Sequence, residues 1–292
     1  MSTTNILQDK ARESADARKK LGDIITLEGF TQTIVIIAVL VAIVGYINQH
    51  GWLLNATNVL GDFYANVSSE LLSIIVTVLV LERLNARRQD EQEKRRLIAL
   101  LGSNERAVTG IAIAELEARG WLEDGSLQGI TLLHANLQNV DLKYVDLSNA
   151  SMGHSNFSSS NLRAANLSLA YLGVANFRNA DLYSADLRNA DLFQADLSRA
   201  NLFRTELNDA NLSHTNLNRA NLERANLSGA ILSNANLSDA KLYYAELSDT
   251  IFDKDTILPD GTNWTPETDI TRFTNREHPN FWQPPRFDAD EF

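Results

Sequence analysis

From Leu127 to Phe252 a large apolar residue returns at every fifth position, through 26 consecutive pentapeptides. It is Leu in 22 of them and Met152, Phe157, Phe177 or Phe252 in the others. Two positions earlier Ala stands 17 times, and the position between is Asn or Asp 17 times. A helix repeats every 3.6 residues and a strand every 2, so neither accommodates a period of five. A small and a large residue two apart point to one side of an extended backbone. The remaining positions are mostly Asn, Asp, Ser, Arg and Gly, which belong in water. Each pentapeptide therefore predicts a short extended piece and a turn. It cannot bury its apolar pair alone, so the units must coil and stack.

The tandem A(D/N)Lxx pattern resembles the pentapeptide-repeat family. That resemblance implies a β-solenoid, a right-handed quadrilateral β-helix in which four units make the sides of a 20-residue coil. Six and a half coils are then expected, in a rod roughly 31 Å long at the usual spacing of stacked strands. Residues 20 apart stack, which places Phe157 under Phe177. Asn136, Asn156, Asn176, Asn216 and Asn236 fall on one face, with Asp196 interrupting them.

A second pattern precedes the repeat. No Lys or Arg occurs from Gly22 through Glu82, and Phe30–Ile47 is an uncharged apolar run of spanning length. Leu71–Leu81 is a shorter apolar run that reaches spanning length only with Asn66 and Glu70 included. Basic residues flank the window on both sides, Lys10 to Lys20 before it and Arg83 to Arg96 after it. The positive-inside rule then predicts a transmembrane hairpin with both termini cytoplasmic and residues 48–62 outside. Glu70 is an intramembrane polar candidate on this reading. Residues 82–101 predict a continuing helix with Asp90/Lys94 and Glu91/Arg95 pairs. Asn104 is the expected cap of a second helix, with Val108, Ile111 and Leu116 on one face, covering the open end of the solenoid.

The expected organisation is a cytoplasmic segment (1–29), a two-helix transmembrane hairpin (30–82), linker and capping helices (83–120), the solenoid (121–252) and a C-terminal cap and tail (253–292). Trp264, Phe273, Phe281 and Trp282 are the expected apolar cap of the last coil. The stretches "GWLEDGSL" and "LPDGTNWTPETD" around the repeat resemble a membrane-anchored bacterial subgroup of the family, which implies an inner or thylakoid membrane.

Composition narrows the chemistry. The chain has no cysteine, which removes disulfides, thiolate metal sites and thiol nucleophiles. Net charge is −11, divided as −1 over residues 1–120 and −5 each over 121–252 and 253–292, unlike a general nucleic-acid binder. No phosphate loop, nucleophile elbow or His/carboxylate motif is present, and no enzyme activity, cofactor or metal is expected. His134, His154 and His214 share one column without an evident third ligand.

The function expected is a membrane-anchored protein-interaction scaffold with an unidentified protein partner, membrane lipid, and a homo-oligomer as possible associations. The alternatives are a DNA-mimicking topoisomerase inhibitor, as some pentapeptide-repeat proteins are, and a small oligomeric pore. Mimicry needs dense single-signed charge, and the repeat carries nine Lys or Arg. The candidate partner-binding residues are Tyr183, Phe203 and Tyr243 in one column, with Arg204 and Arg224 beside them and Arg199 and Arg219 at the preceding corner. Exposed aromatics with Arg are the residues of interface hot spots.

Overall fold

The computed structural model describes residues 58–284, with side chains from Ser73 onward. The chain divides into two compact units, residues 1–92 and 93–292. Among the described residues the helices are α1 (Asn58–Leu101), α2 (Arg106–Ala118) and the single turn α3 (Thr271–Thr274).

Between α2 and α3 the backbone coils. Parallel bridges join residues 20 apart at every fifth position, from Thr131↔Ser151 to Ile231↔Ile251. Four bridges per coil make a four-sided solenoid. The central Leu residues and the Ala residues two before them fill its interior, almost all of them fully buried. Phe157 and Phe177 stack there with ring centroids 4.8 Å apart and planes 1° from parallel.

One unit shows why the pattern has five positions. Asp181 N–H donates to Ser160 O in the coil below, while Leu182 N–H and Ser184 N–H donate to Asn201 O and Phe203 O above, each at 2.9 Å. Ala185 N–H closes a β-turn onto Leu182 O at 3.0 Å. The fifth donor, Tyr183 N–H, is taken by the side chain of Asp181 at 3.2 Å. No backbone donor is left over, which a buried polar group requires. Asn or Asp precedes the Leu because only a short side-chain acceptor reaches the N–H two residues on. The second turn residue is left-handed along the whole rod, from Gly129 at φ 64° through His134 at 59° to Asp249 at 57°. That is the geometry of a type II turn.

The small position tolerates hydroxyls because the backbone accepts from them. Ser155 Oγ donates to Leu132 O at 2.5 Å, and Thr205 Oγ1 donates to Leu182 O at 2.9 Å. Side-chain amides link the coils outside: Asn161 Nδ2 donates to Asp141 at 3.0 Å, Asn201 to Asp181 at 2.8 Å, and Asn211 to Asp191 at 2.9 Å. In all four columns of bridging residues no Asp stands directly above another Asp. Above Asp141, Asp146, Asp181, Asp191 and Asp196 stands an Asn, which gives a donor where a second carboxylate would repel; Asp186, with Glu206 above it, is the exception.

Both ends of the solenoid are covered. Leu97 and Leu101 of α1 and Thr109, Ala112, Ile113 and Leu116 of α2 are buried against the first coil. Asn136 N–H, with no coil beneath it, donates to Ser103 O at 3.0 Å, and Thr109 Oγ1 donates to Asn136 O at 2.6 Å. The edge is therefore covered, and paired at Asn136. The details differ from expectation. Ile111 is 61 % exposed, so the buried stripe of α2 lies at 109, 112, 113 and 116. The N-cap is Glu105, without a side-chain bond to the helix, and Ser103 Oγ accepts Glu105 N–H instead of Asn104 capping. Lys94 turns away from Asp90 to Asp124, 2.7 Å distant, because its side chain lies over Trp121 beside that carboxylate.

At the far end the ladder continues one unit beyond Phe252. Asn236 bridges to Ile257, 21 residues on, so one residue has been inserted. Asp253 absorbs it: its carboxylate accepts the N–H groups of Asn234 at 2.9 Å and Asp255 at 3.1 Å. Thr256 and Leu258 then resume the small and large interior places. Phe273 is buried, Trp282 meets it edge-on at 5.9 Å, and Trp264 stacks on Phe252 at 6.0 Å. Asp260 pairs with Arg272 beneath them.

Among the described residues no helix is long and apolar enough to cross a membrane. The expected hairpin is corrected to that extent. The Leu71–Leu81 run lies in α1, and Glu82 and Arg83 end it after 11 residues, where the helix goes on as a charged one. Phe30–Ile47 lies outside the described residues, as does the side chain of Glu70.

Candidate functional site

The third side of the coil, built on Leu182, Leu202, Leu222 and Leu242, carries outward-facing rings because its next position is free of packing demands. Tyr183 and Phe203 stack across one coil step, 5.5 Å between centroids and 5° between planes. Arg163 lies over the other face of Tyr183, 4.3 Å from its centre, and pairs with Asp181 at 3.1 Å. Arg204 leans on Phe203 at 5.4 Å. A guanidinium over a ring gains from the ring quadrupole and is held in place by it. The result is a continuous guanidinium–ring–ring–guanidinium stack along the rod.

Tyr243 is not part of that stack, since Glu223 stands between it and Phe203. Phe281 packs on Tyr243 at 5.1 Å and Arg276 lies 4.9 Å from its centre. Burial pushes the Tyr243 phenol up, with Arg276 acting in the opposite direction. The C-terminal segment thus already occupies the upper end of this side, and Tyr244 N–H donates to Thr274 O at 2.9 Å.

At the following corner an open groove of about 650 Å³ is lined by Ser184, Arg204, Glu206, Arg224 and Tyr244. Arg224 lies over Tyr244 at 5.4 Å. Neither Arg204 nor Arg224 has a carboxylate within 4.0 Å among the described residues. They follow each other by one coil, so two positive charges stand roughly 5 Å apart at their backbones. Arg199 and Arg219 stand at the preceding corner, both half-buried, and Arg219 reaches Asp239 at 3.7 Å. Arg163, Arg276, Ser184 and Glu206 belong to this arrangement and were not among the expected residues. Arg163, Ser184 and Glu206 had their signal in the sequence as members of the same or adjacent 20-residue columns; Arg276 lies beyond the repeat and had none.

A second exposed cluster was not expected. Leu169, Tyr171, Val174 and Phe193 are exposed around the side of the coil built on Met152, Leu172 and Leu192, which also carries the stacked rings of His134 and His154, 4.9 Å apart. His214 leaves that stack and meets Phe193 edge-on at 5.3 Å. No group of three or more metal-capable side chains occurs among the described residues.

Residues 122–153, 155–194, 185–219, 195–234 and 220–254 match the family described as Pentapeptide repeats, in eight copies. The chain carries a pentapeptide-repeat domain. Its fold is the right-handed β-helix of that family. Among solved structures it is similar to a pentapeptide-repeat protein of the Arabidopsis thaliana thylakoid lumen, at 34 % identity, covering 32 % of this chain and 66 % of that one, with a TM-score of 0.32. The shared part is thus just under two thirds of that protein. HetL of the cyanobacterium Nostoc, involved in heterocyst differentiation regulation, is 29 % identical over 52 % of this chain and 98 % of its own, with a TM-score of 0.17. QnrB1, a plasmid-mediated fluoroquinolone resistance protein, is 19 % identical over 48 % and 81 %, with a TM-score of 0.34. No curated protein matches the chain.

Proposed function

We propose that this protein is an interaction scaffold whose pentapeptide-repeat domain presents the third side of its coil to a protein partner. The observation that carries the reading is the Tyr183–Phe203 stack, held on a rod whose coils are bridged to one another at every fifth residue. Rigid aromatics lose little freedom when a partner covers them. Arg163 and Arg204 at the ends of the stack supply donors in a fixed fork. The reading assigns no catalytic residue and needs no cofactor.

Replacing Tyr183→Ser together with Phe203→Ser tests it. Both side chains point outward, so the thermal midpoint should stay within a few degrees while a partner cross-linked to the unaltered chain is lost. Retained cross-linking with an unchanged midpoint would move the partner face elsewhere.

Attachment to a membrane, with both termini on the cytoplasmic side, is the second element of the proposal. Its support is the absence of Lys and Arg from Gly22 through Glu82 and the half-exposed Ile74, Val76, Leu79, Val80 and Leu81 on α1. Alkaline carbonate should leave the chain in the membrane pellet. Single cysteines at Asn55 and Ser248 should label from opposite sides of intact membranes; labelling from one side refutes the topology and leaves the scaffold reading intact.

A further inference from the structure

The corner that ends the third side is built from four like turns. Ser184, Arg204, Arg224 and Tyr244 stack 20 residues apart, at φ 55°, 57°, 58° and 58°. The N–H groups of the first three donate one coil up, to Phe203 O, Glu223 O and Tyr243 O at 2.9, 3.0 and 2.8 Å. Tyr244 N–H donates to Thr274 O of the cap at 2.9 Å. The four side chains therefore rise from fixed points, each roughly 5 Å from the next. Arg204 and Arg224 are exposed, and the rings they lean on, Phe203 and Tyr244, attract them without supplying a countercharge. Two guanidinia of one sign repel across one coil step, and an anion between them would turn that repulsion into attraction.

The charge count decides which anion. One carboxylate is satisfied by the fork of a single guanidinium. A phosphate monoester carries about −1.5 to −2 charge at pH 7 and three strong acceptor oxygens, enough for two guanidinia at once. The surroundings decide what carries the phosphate. The side that follows this corner, residues 145–149 and their 20-residue repeats up to 245–249, holds six carboxylates against one arginine, Arg188. An anionic bilayer or a nucleic acid laid on the corner would meet those carboxylates as well. A single phosphorylated side chain brings its charge to the groove alone. Arg204 also caps the Tyr183–Phe203 stack, so a protein segment lying on the stack passes directly beside the groove.

We propose that the groove lined by Ser184, Arg204, Glu206, Arg224 and Tyr244 is a binding site for a phosphorylated side chain of the protein partner. Arg204 and Arg224 share the phosphate, with the hydroxyls of Ser184 and Tyr244 at the two ends of the groove. Glu206 opposes the anion and keeps its binding reversible. This rests on the reading of the third side as a protein-binding face, but its test is separate.

The probe is the peptide acetyl-Gly-Phe-phosphoserine-Gly-Gly amide, titrated into the full chain while the Nε–H NMR signals of Arg204 and Arg224 are followed. It is taken to about 10 mM, enough to read a Kd near 1 mM. Both signals should shift, the same peptide with serine should leave them in place, and the same peptide with glutamate should bind at least tenfold more weakly. Arg204→Gln or Arg224→Gln should bring the phosphopeptide down to the glutamate level, and Glu206→Gln should tighten it severalfold. Unmoved arginine signals overturn the proposal, as does equal binding of the phosphoserine and glutamate peptides to the unaltered chain, which needs no variant to fold. Binding of vesicles containing phosphatidic acid, with the phosphopeptide leaving both arginines unmoved, also overturns it. If cross-linking to a partner depends on Tyr183 and Phe203 while the phosphopeptide does not bind, the phosphate site falls and the scaffold reading stands. If the phosphopeptide binds while cross-linking survives Tyr183→Ser with Phe203→Ser, the phosphate site stands and the stack is not the partner face.

Discussion

The ring of Tyr171 occupies the space a side chain at residue 153 would need: a Cβ added to Gly153 would lie 2.5 Å from Tyr171 Cε1. One coil on, a Cβ at Gly173 would lie 2.9 Å from the Tyr171 hydroxyl. The two glycines, stacked 20 apart, form a shallow trough in which the tyrosine lies. Gly153 is not left-handed, so the close approach of the ring is what calls for glycine there. Gly153→Ala should lift the ring into solvent at a cost of about 1 kcal/mol or less, the size of most surface effects. An altered Tyr171 ring resonance with a nearly unchanged thermal midpoint is the expected result.

Val174 is held at φ 60°, in the left-handed region. A β-branched residue is strained there, and Asn is among the few residues that adopt it readily. Val174 is also exposed, so little packing offsets the strain. Val174→Asn should stabilise the domain by about 1 kcal/mol, seen as a midpoint a few degrees higher. A lower midpoint would mean that the cluster with Leu169, Tyr171 and Phe193 outweighs the backbone.

Phe157 and Phe177 fill the interior where other coils have Leu. Phe157→Ala should cost about 3–5 kcal/mol, because the rod cannot collapse around one missing ring. Phe157→Leu should cost much less, since Leu is the interior residue of nearly every other unit. Denaturant unfolding of the two variants checks the ratio.

Asn211 serves two coils at once. Its Oδ1 accepts Ser213 N–H at 3.2 Å, and its Nδ2 donates to Asp191 in the coil below at 2.9 Å. Asn211→Ala should cost about 1–3 kcal/mol by leaving the Ser213 N–H without its acceptor and taking from Asp191 one of its donors, the Phe193 N–H remaining. Asn211→Asp keeps the turn bond but places two carboxylates together, so its loss should grow as the pH rises from 3 to 7.

Acid should weaken the domain through its turn carboxylates. The Arg188 side-chain bond holds the Asp186 carboxyl below the usual range against the opposing effect of burial, with Arg188 N–H adding to it. At Asp253 and Asp146 burial opposes ionisation, but the donors around each outweigh it and the carboxyls are also lowered. A carboxyl depressed in the folded state contributes stability fully above the unfolded value, near 3.8, and loses it as pH falls through the folded value. Stability should therefore hold between pH 7 and 5 and fall below about 4. Asp186→Asn should make that fall shallower; an identical acid limb would show that Asp186 is not coupled to folding.

The repeat could be read from the chain because one interior place recurs every five residues and nothing but a coil satisfies it. The Phe157–Phe177 stack and the Tyr183–Phe203 column follow from counting twenties. The added residue before Thr256 breaks the count, so the last unit, ending on Leu258, is invisible to a five-residue register. Burial of Ala112 and Thr109 in place of Ile111 could not be read either, since it depends on how α2 meets the first coil. Lys94 pairs with Asp124 across 30 residues, a choice made by the neighbouring Trp121 and not by helix spacing. Arg163, over Tyr183, entered the candidate site through a column that an inspection of aromatic positions alone passes over, and Arg276, over Tyr243, through the fold of the cap, which no repeat count reaches.

The bridge from Asn236 to Ile257 shows that the ladder takes up one extra residue at its end without loss of register above or below. Within the rod the same four-sided count acts as an indexing mechanism. Inserting five residues would turn everything beyond them by a quarter turn, so that Tyr243 and its C-terminal cap would no longer stand over the Tyr183–Phe203 side. Inserting 20 would lengthen the rod by one step and restore every alignment. Descendants of such a gene can change the distance between the two ends only in whole coils, whereas point changes at the outward positions are free to alter what the surface displays.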